Sequence, residues 1–164
     1  GWSYEPWEES FYPPKLAAAK QLEYAASKVT AIEINATFYR TQSATSFQKW
    51  AKSTPDDFKF SVKAPRAAVQ RKDLREAAQS IEWFFNSGVG ELGSKLGPIF
   101  WQMAPYKKFD AAEMNAYFDM LPAKLGKLKL QHAIEVRHAS FTDDSFLKLA
   151  RERYPSFLLE SVEG

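Results

Sequence analysis

Carboxylate, amide and guanidinium side chains alternate with aliphatic residues in two separate segments of the chain. Glu33 and Asn35 stand two residues apart in the first segment, and Glu135 and Arg137 stand two residues apart in the second. Because alternate side chains of a β-strand point to the same face, each pair is expected on one face of its strand. The planar fork of an arginine binds carboxylate or phosphate, and a glutamate tuned by burial can act as acid or base. The pattern predicts Arg137 as an anion clamp, Asn35 as a ligand contact, and Glu33 and Glu135 as catalytic candidates.

A structural interpretation of the same charges stays open. Glu33, Glu135 and Arg137 would then form an ion-pair network that fills the interior of the fold without binding anything. Networks kept only for structure are often no better than apolar packing, which favours the functional interpretation.

Two further polar side chains extend the predicted ligand-binding set. Lys63 precedes Ala64 and Pro65 at the end of an apolar run, where it can bind an anion or, if desolvated, form a Schiff base. A surface lysine at a strand end is the alternative. Gln102 can hydrogen-bond a ligand hydroxyl, although its position beside Trp101 does not reveal which of the two faces the site.

The two histidines lead to different predictions. His138 follows Arg137 and is a candidate for acid–base catalysis, the alternative being that it orients the following loop through Ser140. His132 opens the same apolar run at its opposite end, so we expect a structural role for it.

Aromatic residues cluster near the start of the chain. Trp2, Tyr4 and Trp7 can stack on a sugar or base, or they can cover the core. Tyr39 is predicted to present its hydroxyl beside Asn35. Trp2, Tyr4 and Tyr39 therefore join the candidate ligand-binding residues.

The sequence does not predict a metal site or name a cofactor. Glu33, Glu135 and His138 could supply part of a divalent-cation site, but the charge of Arg137 close by would repel a cation. The chain contains no cysteine, which excludes disulfides, thiolate chemistry and cysteine-based zinc sites.

Composition indicates a globular protein without a nucleic-acid or membrane partner. Apolar residues make up 45% and charged residues 26% of the chain, and the formal net charge is only +2. Lys107 and Lys108, and Lys124, Lys127 and Lys129, are expected to be solvated surface. No run approaches the roughly 20 apolar residues that span a bilayer, and no signal peptide is visible, so a cytoplasmic location is expected.

Five short apolar segments alternate with helical patterns along the chain. Strands are predicted near residues 29–36, 58–63, 98–103, 132–137 and 157–161. Helices are predicted at residues 15–27, 45–52, 73–86, 110–121 and 142–153, with a capping box at Asp110 and Glu113. This rhythm is typical of βα units in a parallel sheet, within a single domain that covers residues 1–164.

Two architectures fit this rhythm, an open doubly wound sheet and an incomplete (β/α)₈ barrel. The doubly wound fold normally has a glycine-rich phosphate loop after its first strand. The segment from Gly88 to Lys95 only approximates a P-loop and follows a helix, so we interpret it as a helix stop and a turn. Polar residues on one face of two strands favour the barrel, whose inward-facing side chains open into a ligand mouth.

The sequence resembles the YecE-like family, also called domain of unknown function 72. The similarity lies in residues 1–4, 11–13, 33–40, 54–58, 60–66, 96–102 and 135–141. The resemblance implies a TIM-type barrel with no established activity. It also implies that part of the first strand and the last two strands are missing from this chain. Val69 and Gln70 stand where many members have Thr-His, and residues 154–164 fit the family poorly.

These observations together predict a barrel protein that binds a small anionic or sugar-like metabolite at the carboxyl-terminal mouth. Glutamate-based acid–base chemistry is the most economical mechanism if the protein is an enzyme. A metal-assisted phosphodiesterase or isomerase, a glycosidase with two carboxylates, and a non-catalytic scaffold are the alternatives. The sequence leaves the substrate and the oligomeric state open.

Overall fold

The structure, a computed structural model, describes residues 1–153 and the backbone of residues 158–161. Its strands are, in chain order, β1 (Ala31–Ile34), β2 (Lys59–Lys63), β3 (Leu96–Gln102), β4 (Lys124–Leu125), β5 (Leu128–Lys129), β6 (His132–Val136) and β7 (Leu158–Ser161). All five predicted strands are confirmed; four have shorter bounds than predicted, and β3 begins two residues earlier and ends one residue earlier. Phe157, expected to open the last one, lies outside the described residues.

Helices connect the strands of the sheet. The α-helices are α1 (Trp7–Ser10), α2 (Ala18–Ala26), α3 (Ala36–Tyr39), α4 (Ala44–Lys52), α5 (Arg66–Val69), α6 (Ala78–Asn86), α7 (Ala111–Asp119) and α8 (Asp144–Arg153). Shorter 3₁₀ segments cover Leu74–Ala77, Val89–Lys95 and Ala139–Thr142. Within the described part of the chain, every helix is too short or too polar to cross a membrane.

Strands β1, β2, β3, β6 and β7 form one parallel sheet in the same order as in the chain. A doubly wound sheet reverses its strand order at a switch point, and this sheet has no reversal, so the doubly wound alternative does not fit these strands. The molecule is thus a mixed α/β fold with a parallel sheet. The described residues do not close into a barrel.

One face of the sheet is apolar and packs against the helices. Its buried side chains include Ile34, Phe60, Val62, Ile99, Trp101 and Ile134. The helices and the 3₁₀ segment before α6 contribute Leu22, Phe47, Leu74, Ile81, Phe84, Met114, Tyr117 and Phe146 to the same core. Since alternate residues of a strand share a face, this packing fixes which residues occupy the other one.

The opposite face of the sheet carries the polar residues. Glu33 pairs in register with Ser61 of the next strand, and Gln102 pairs with Glu135. Lys63 pairs with Phe100 across β2 and β3. Gln102 therefore lies on the polar face, and Trp101, fully buried, lies in the helix-covered core, which resolves the parity that the sequence left open.

The pairing of β2 with β3 contains one extra residue on β3. Phe60 pairs with Leu96 and Val62 pairs with Ile99, so two steps along β2 correspond to three along β3. Gly97 lies at this irregularity, and a Cβ there would stand only 2.9 Å from the carbonyl oxygen of Phe60. The close approach of the two backbones explains the glycine.

The segment that approximates a P-loop is structural. Gly88, at φ 106°, follows α6, and the 3₁₀ segment begins at the next residue, as the interpretation of a helix stop and a turn predicted. Lys95 Nζ donates to the carbonyl oxygens of Ala51 and Thr54, both at 2.6 Å. Its ammonium therefore fastens the end of α4 to the start of β3.

Two local predictions need correction. Lys107 is buried rather than solvated, whereas Lys108, Lys124, Lys127 and Lys129 are exposed as expected. Only half of the predicted capping box forms: Asp110 Oδ1 accepts the Glu113 N–H at 2.7 Å, but the Glu113 carboxylate turns to other partners. Its Oε1 accepts from Leu74 N at 2.6 Å and from Lys107 Nζ at 2.7 Å.

Candidate functional site

Three predicted site residues meet on the polar face of the sheet. Gln102 Nε2 lies 2.9 Å from Glu135 Oε1 and 3.1 Å from Oε2, so the amide donates to the carboxylate. Arg137 Nε lies 3.7 Å from Glu135 Oε1, too far for a good hydrogen bond. The side chain of Glu135 is only 9% exposed and that of Arg137 is 42% exposed. The cluster thus consists of a buried, hydrogen-bonded carboxylate beneath a guanidinium that reaches solvent.

Glu33 lies on the same face but outside this cluster. It forms neither a hydrogen bond nor an ion pair with another residue of the described chain, and strands β2 and β3 separate it from Glu135. Three inter-strand spacings amount to about 14 Å along the sheet. The proposed network of Glu33, Glu135 and Arg137 is therefore only a pair, and Glu33 keeps its carboxylate available.

Lys63 ends β2 on the polar face, between two phenyl rings. Its Nζ lies 4.9 Å from the ring centre of Phe38 and 5.9 Å from that of Phe100, which is within cation–π range. No described carboxylate lies within ion-pair distance of this ammonium. Lys63 can therefore offer a positive charge to a ligand, held in place by aromatic faces.

Thr37 is a positioning residue that the sequence interpretation missed. Its buried Oγ1 lies 2.6 Å from the carbonyl oxygen of Lys63 and 3.1 Å from that of Ile34. The hydroxyl thereby joins the carboxyl ends of β1 and β2. The signal was a β-branched hydroxyl residue just beyond a strand, in a triplet that also matches a glycosylation site.

Asn35 does not continue the strand. Its backbone is helical (φ −90°, ψ −20°) and it precedes α3, so the alternation that placed it beside Glu33 ends at Ile34. Its side chain neither caps α3 nor bonds to any other described residue. Asn35 instead lines a cleft at the end of β1 and is therefore not grouped with Glu135 and Arg137.

The aromatic residues predicted as ligand contacts also line this cleft, which we call the β1 cleft. It has a volume of about 710 Å³. Its lining includes Trp2, Tyr4, Trp7, Asn35, Tyr39, Arg40, Gln42 and Trp50. Tyr39 is 79% exposed and Tyr4 59% exposed, while Trp2 packs edge-to-face on Trp50 at 5.3 Å. Arg40, Gln42 and Trp50 had not been singled out from the sequence.

His138 orients a loop. Ser140 N–H donates to His138 Nδ1 at 3.1 Å, and Phe109 N donates to Ser140 Oγ at 2.8 Å. An Nδ1 that accepts from a backbone amide carries no proton, so the neutral ring is protonated on Nε2. In the described chain no hydrogen bond joins His138 to either glutamate, and these contacts match the loop-orienting alternative.

His132 is part of the core. Trp101 Nε1 donates to His132 Nδ1 at 3.0 Å, and Nε2 lies 2.8 Å from the carbonyl oxygen of Pro122. Because an indole N–H only donates, the proton of the ring is on Nε2 and bonds Pro122. Burial lowers the pKa of His132, with an opposing contribution from the Pro122 hydrogen bond.

A metal centre receives no support from the part of the chain that the structure describes. No three histidine, aspartate or glutamate side chains converge there in a way that could hold an ion. Glu33, Glu135 and His138 in particular do not meet. Most of the predicted site residues therefore fall into two groups, the polar-face cluster of Gln102, Glu135 and Arg137 and the β1 cleft. Glu33, Lys63 and His138 belong to neither.

Comparison with known proteins places the chain in a family. The family model described as a protein of unknown function, DUF72, matches residues 1–158. The chain belongs to the DUF72 family. It is 31% identical over 144 residues to the UPF0759 protein YunF of Bacillus subtilis (strain 168), a match that covers 84% of this chain and 50% of YunF.

Solved structures of DUF72 proteins have the same fold. One from Thermotoga maritima MSB8 aligns with a TM-score of 0.72 at 24% identity, over 93% of this chain and 59% of that protein. One from Enterococcus faecalis V583 aligns with a TM-score of 0.68 at 20% identity, over 84% and 52%. This DUF72 chain thus spans between half and three fifths of the length of these relatives.

Proposed function

We propose that this DUF72 chain binds a small anionic or polyhydroxylated metabolite at the carboxyl edge of its sheet, with Arg137 holding the anionic group. The observation that carries the proposal is the guanidinium of Arg137, which reaches solvent above the polar face and has only a loose contact with Glu135. Its donors are free for a carboxylate or phosphate. Lys63, without a carboxylate partner in the described chain, adds a second positive charge to that face.

We further propose that the sheet belongs to a TIM-type barrel in the whole protein. The parallel strands follow one another in chain order, as they do around such a barrel, and the relatives are longer than this chain. The polar face would then be the interior wall. Ligand sites in these barrels lie at the carboxyl ends of the strands, where Lys63, Gln102 and Arg137 are found.

The two glutamates have different roles in this proposal. Glu135 accepts from Gln102 and faces Arg137, so it positions the guanidinium. Glu33 is free of such partners in the described chain and is the carboxylate available for proton transfer. A divalent metal is not required for either role.

A thermal-shift screen of the full-length protein tests the anion clamp. The probes are inorganic phosphate, citrate and glucose 6-phosphate, with sorbitol as the uncharged comparison. We expect Arg137→Ala to weaken binding of the anions by about 10- to 100-fold, the loss typical of a charged hydrogen bond, and so to reduce their stabilising shift. Arg151→Ala, which removes an exposed arginine on α8, is the matched control and should leave the shifts unchanged.

Equal shifts in the Arg137→Ala and Arg151→Ala proteins would remove Arg137 from the proposal. Glu33→Gln should keep or enlarge the shift, because it removes a negative charge from the same face. Loss of the anion shift in Glu33→Gln would contradict the division of roles between the glutamates.

A further inference from the structure

The β1 cleft has the features of a site for a sugar ring. Its inner wall is formed by Trp2 and Trp50, and Trp2 also lies 6.4 Å from Phe60 of the core. Tyr4 and Tyr39 stand at the cleft and keep more than half of their surface in solvent. Aromatic faces fixed by core packing on one side and open tyrosines on the other offer a stacking platform that needs little reorganisation.

The amides in the β1 cleft have unused hydrogen-bonding capacity. Asn35 occupies the position before a helix where asparagine usually caps, yet its side chain does not cap α3 and bonds no other described residue. Gln42 Nε2 donates weakly to the carbonyl oxygen of Arg40 at 3.3 Å, and its own carbonyl oxygen has no partner in the described chain. Each amide can both donate to and accept from a neighbouring pair of ligand hydroxyls.

The charge in the β1 cleft indicates the sign of the ligand. No carboxylate is among its lining residues, and Arg40 contributes a guanidinium without an ion-pair partner in the described chain. A cationic ligand would find no carboxylate in the lining itself, and a purely apolar ligand would leave Asn35 and Gln42 unpaired. A volume of about 710 Å³ accommodates one or two sugar rings.

We infer that the β1 cleft binds an acidic pyranose, with the ring on the tryptophan and tyrosine faces, its hydroxyls on Asn35 and Gln42, and its carboxylate on Arg40. The inference builds on the proposed function only in placing a ligand at the carboxyl edge of the sheet. Arg137 is not part of the β1 cleft, so the two sites can be tested separately.

Isothermal titration calorimetry on the full-length protein compares two probes of equal charge, cyclic glucuronate and acyclic gluconate. The wild-type protein should bind glucuronate at least about tenfold more tightly, because only the ring presents a flat face for stacking. Tyr39→Ala should weaken glucuronate binding about fivefold and Asn35→Ala about tenfold. Tyr106→Ala removes a comparably exposed tyrosine outside the cleft and should have no effect.

Three results would overturn the inference: no measurable glucuronate binding, equal affinities for the two probes, or equal effects of Tyr39→Ala and Tyr106→Ala. Arg137→Ala separates the inference from the proposed function. If it alone abolishes binding, the anion clamp stands and the pyranose site fails. If Tyr39→Ala and Asn35→Ala weaken binding while Arg137→Ala does not, the pyranose site stands alone.

Discussion

Lys107 and Lys108 are adjacent in sequence and have opposite environments. Lys107 Nζ donates to Glu113 Oε1 and to the carbonyl oxygen of Lys72, both at 2.7 Å, and its side chain is 6% exposed. Lys108 is exposed. Because Glu113 also accepts from Leu74 N, the buried pair joins the loop after β2, the loop after β3 and helix α7. A buried charge is tolerated only with such partners.

Removing Lys107 should therefore be costly. Lys107→Met leaves the Glu113 carboxylate buried without its cation, and we expect the free energy of unfolding to fall by about 3–5 kcal/mol. Urea denaturation followed by circular dichroism measures the change. Lys108→Met, the matched control, should stay within about 0.5 kcal/mol of the wild type, and similar losses in the two variants would contradict the pairing.

For single residues, the sequence predicted which side chains lie on the polar face better than it predicted the contacts that those side chains make. The alternation around Glu135 and Arg137 correctly indicated one shared face, because a period of two is a local property. Glu33 lies apart because of the strands that separate it from the cluster. Asn35 lies in the β1 cleft because of the point at which β1 ends. Both facts follow from tertiary packing, which the local sequence pattern does not predict.

The end of helix α6 is fixed by its approach to helix α4. Gly88 has φ 106°, and a Cβ there would meet Ala44 Cα at 2.5 Å, at the first residue of α4. Both the backbone conformation and the contact with a neighbouring backbone require glycine. The first turn of one helix thus packs directly on the residue that ends another.

Two glycine substitutions separate these effects. Gly88→Ala should lower the free energy of unfolding by about 3 kcal/mol or more, because left-handed strain adds to a clash with backbone that cannot move aside. Gly126→Ala, at φ 57° with open space around it, carries the strain alone and should lose about 1–2 kcal/mol. Thermal or urea unfolding measures the loss in free energy of unfolding for both variants. Equal losses would show that the contact with Ala44 adds no cost to the left-handed strain.

Element prediction succeeded where the periodic pattern was long. The strands of the sheet and helices α2, α4, α6, α7 and α8 all carry a hydrophobic repeat. The four-residue helices α1, α3 and α5 are too short to have one, and each was missed. The hairpin of β4 and β5 was also missed, although Gly126 between two leucine-containing pairs is a signal for a tight turn.

For the whole molecule, a buried imidazole links stability to pH. His132 accepts from Trp101 on Nδ1, so protonation of that nitrogen would break a hydrogen bond in the core. Burial lowers the pKa of His132 below 6.5 in the folded state. The unfolded chain therefore takes up a proton first as the pH falls.

The contribution of His132 to the free energy of unfolding should therefore be constant above about pH 7. It should decrease as the pH falls below 6.5. The slope from one proton is at most about 1.4 kcal/mol per pH unit. Urea denaturation between pH 5 and 8 measures it. His132→Gln should flatten it. A folded-state pKa of His132 above 6.5 by NMR titration would contradict the prediction.

The extra residue of β3 beside Gly97 is confined to the entry of the strand, away from the site. Farther along β3, Gln102 shares a face with Glu135, and Trp101 fills the core. Deletion of that one residue would leave both flanking pairs as they are, Phe60 with Leu96 and Val62 with Ile99, and would turn the irregular pairing into an unbroken ladder. Chains that differ only in this insertion would therefore present the same amide to the carboxylate.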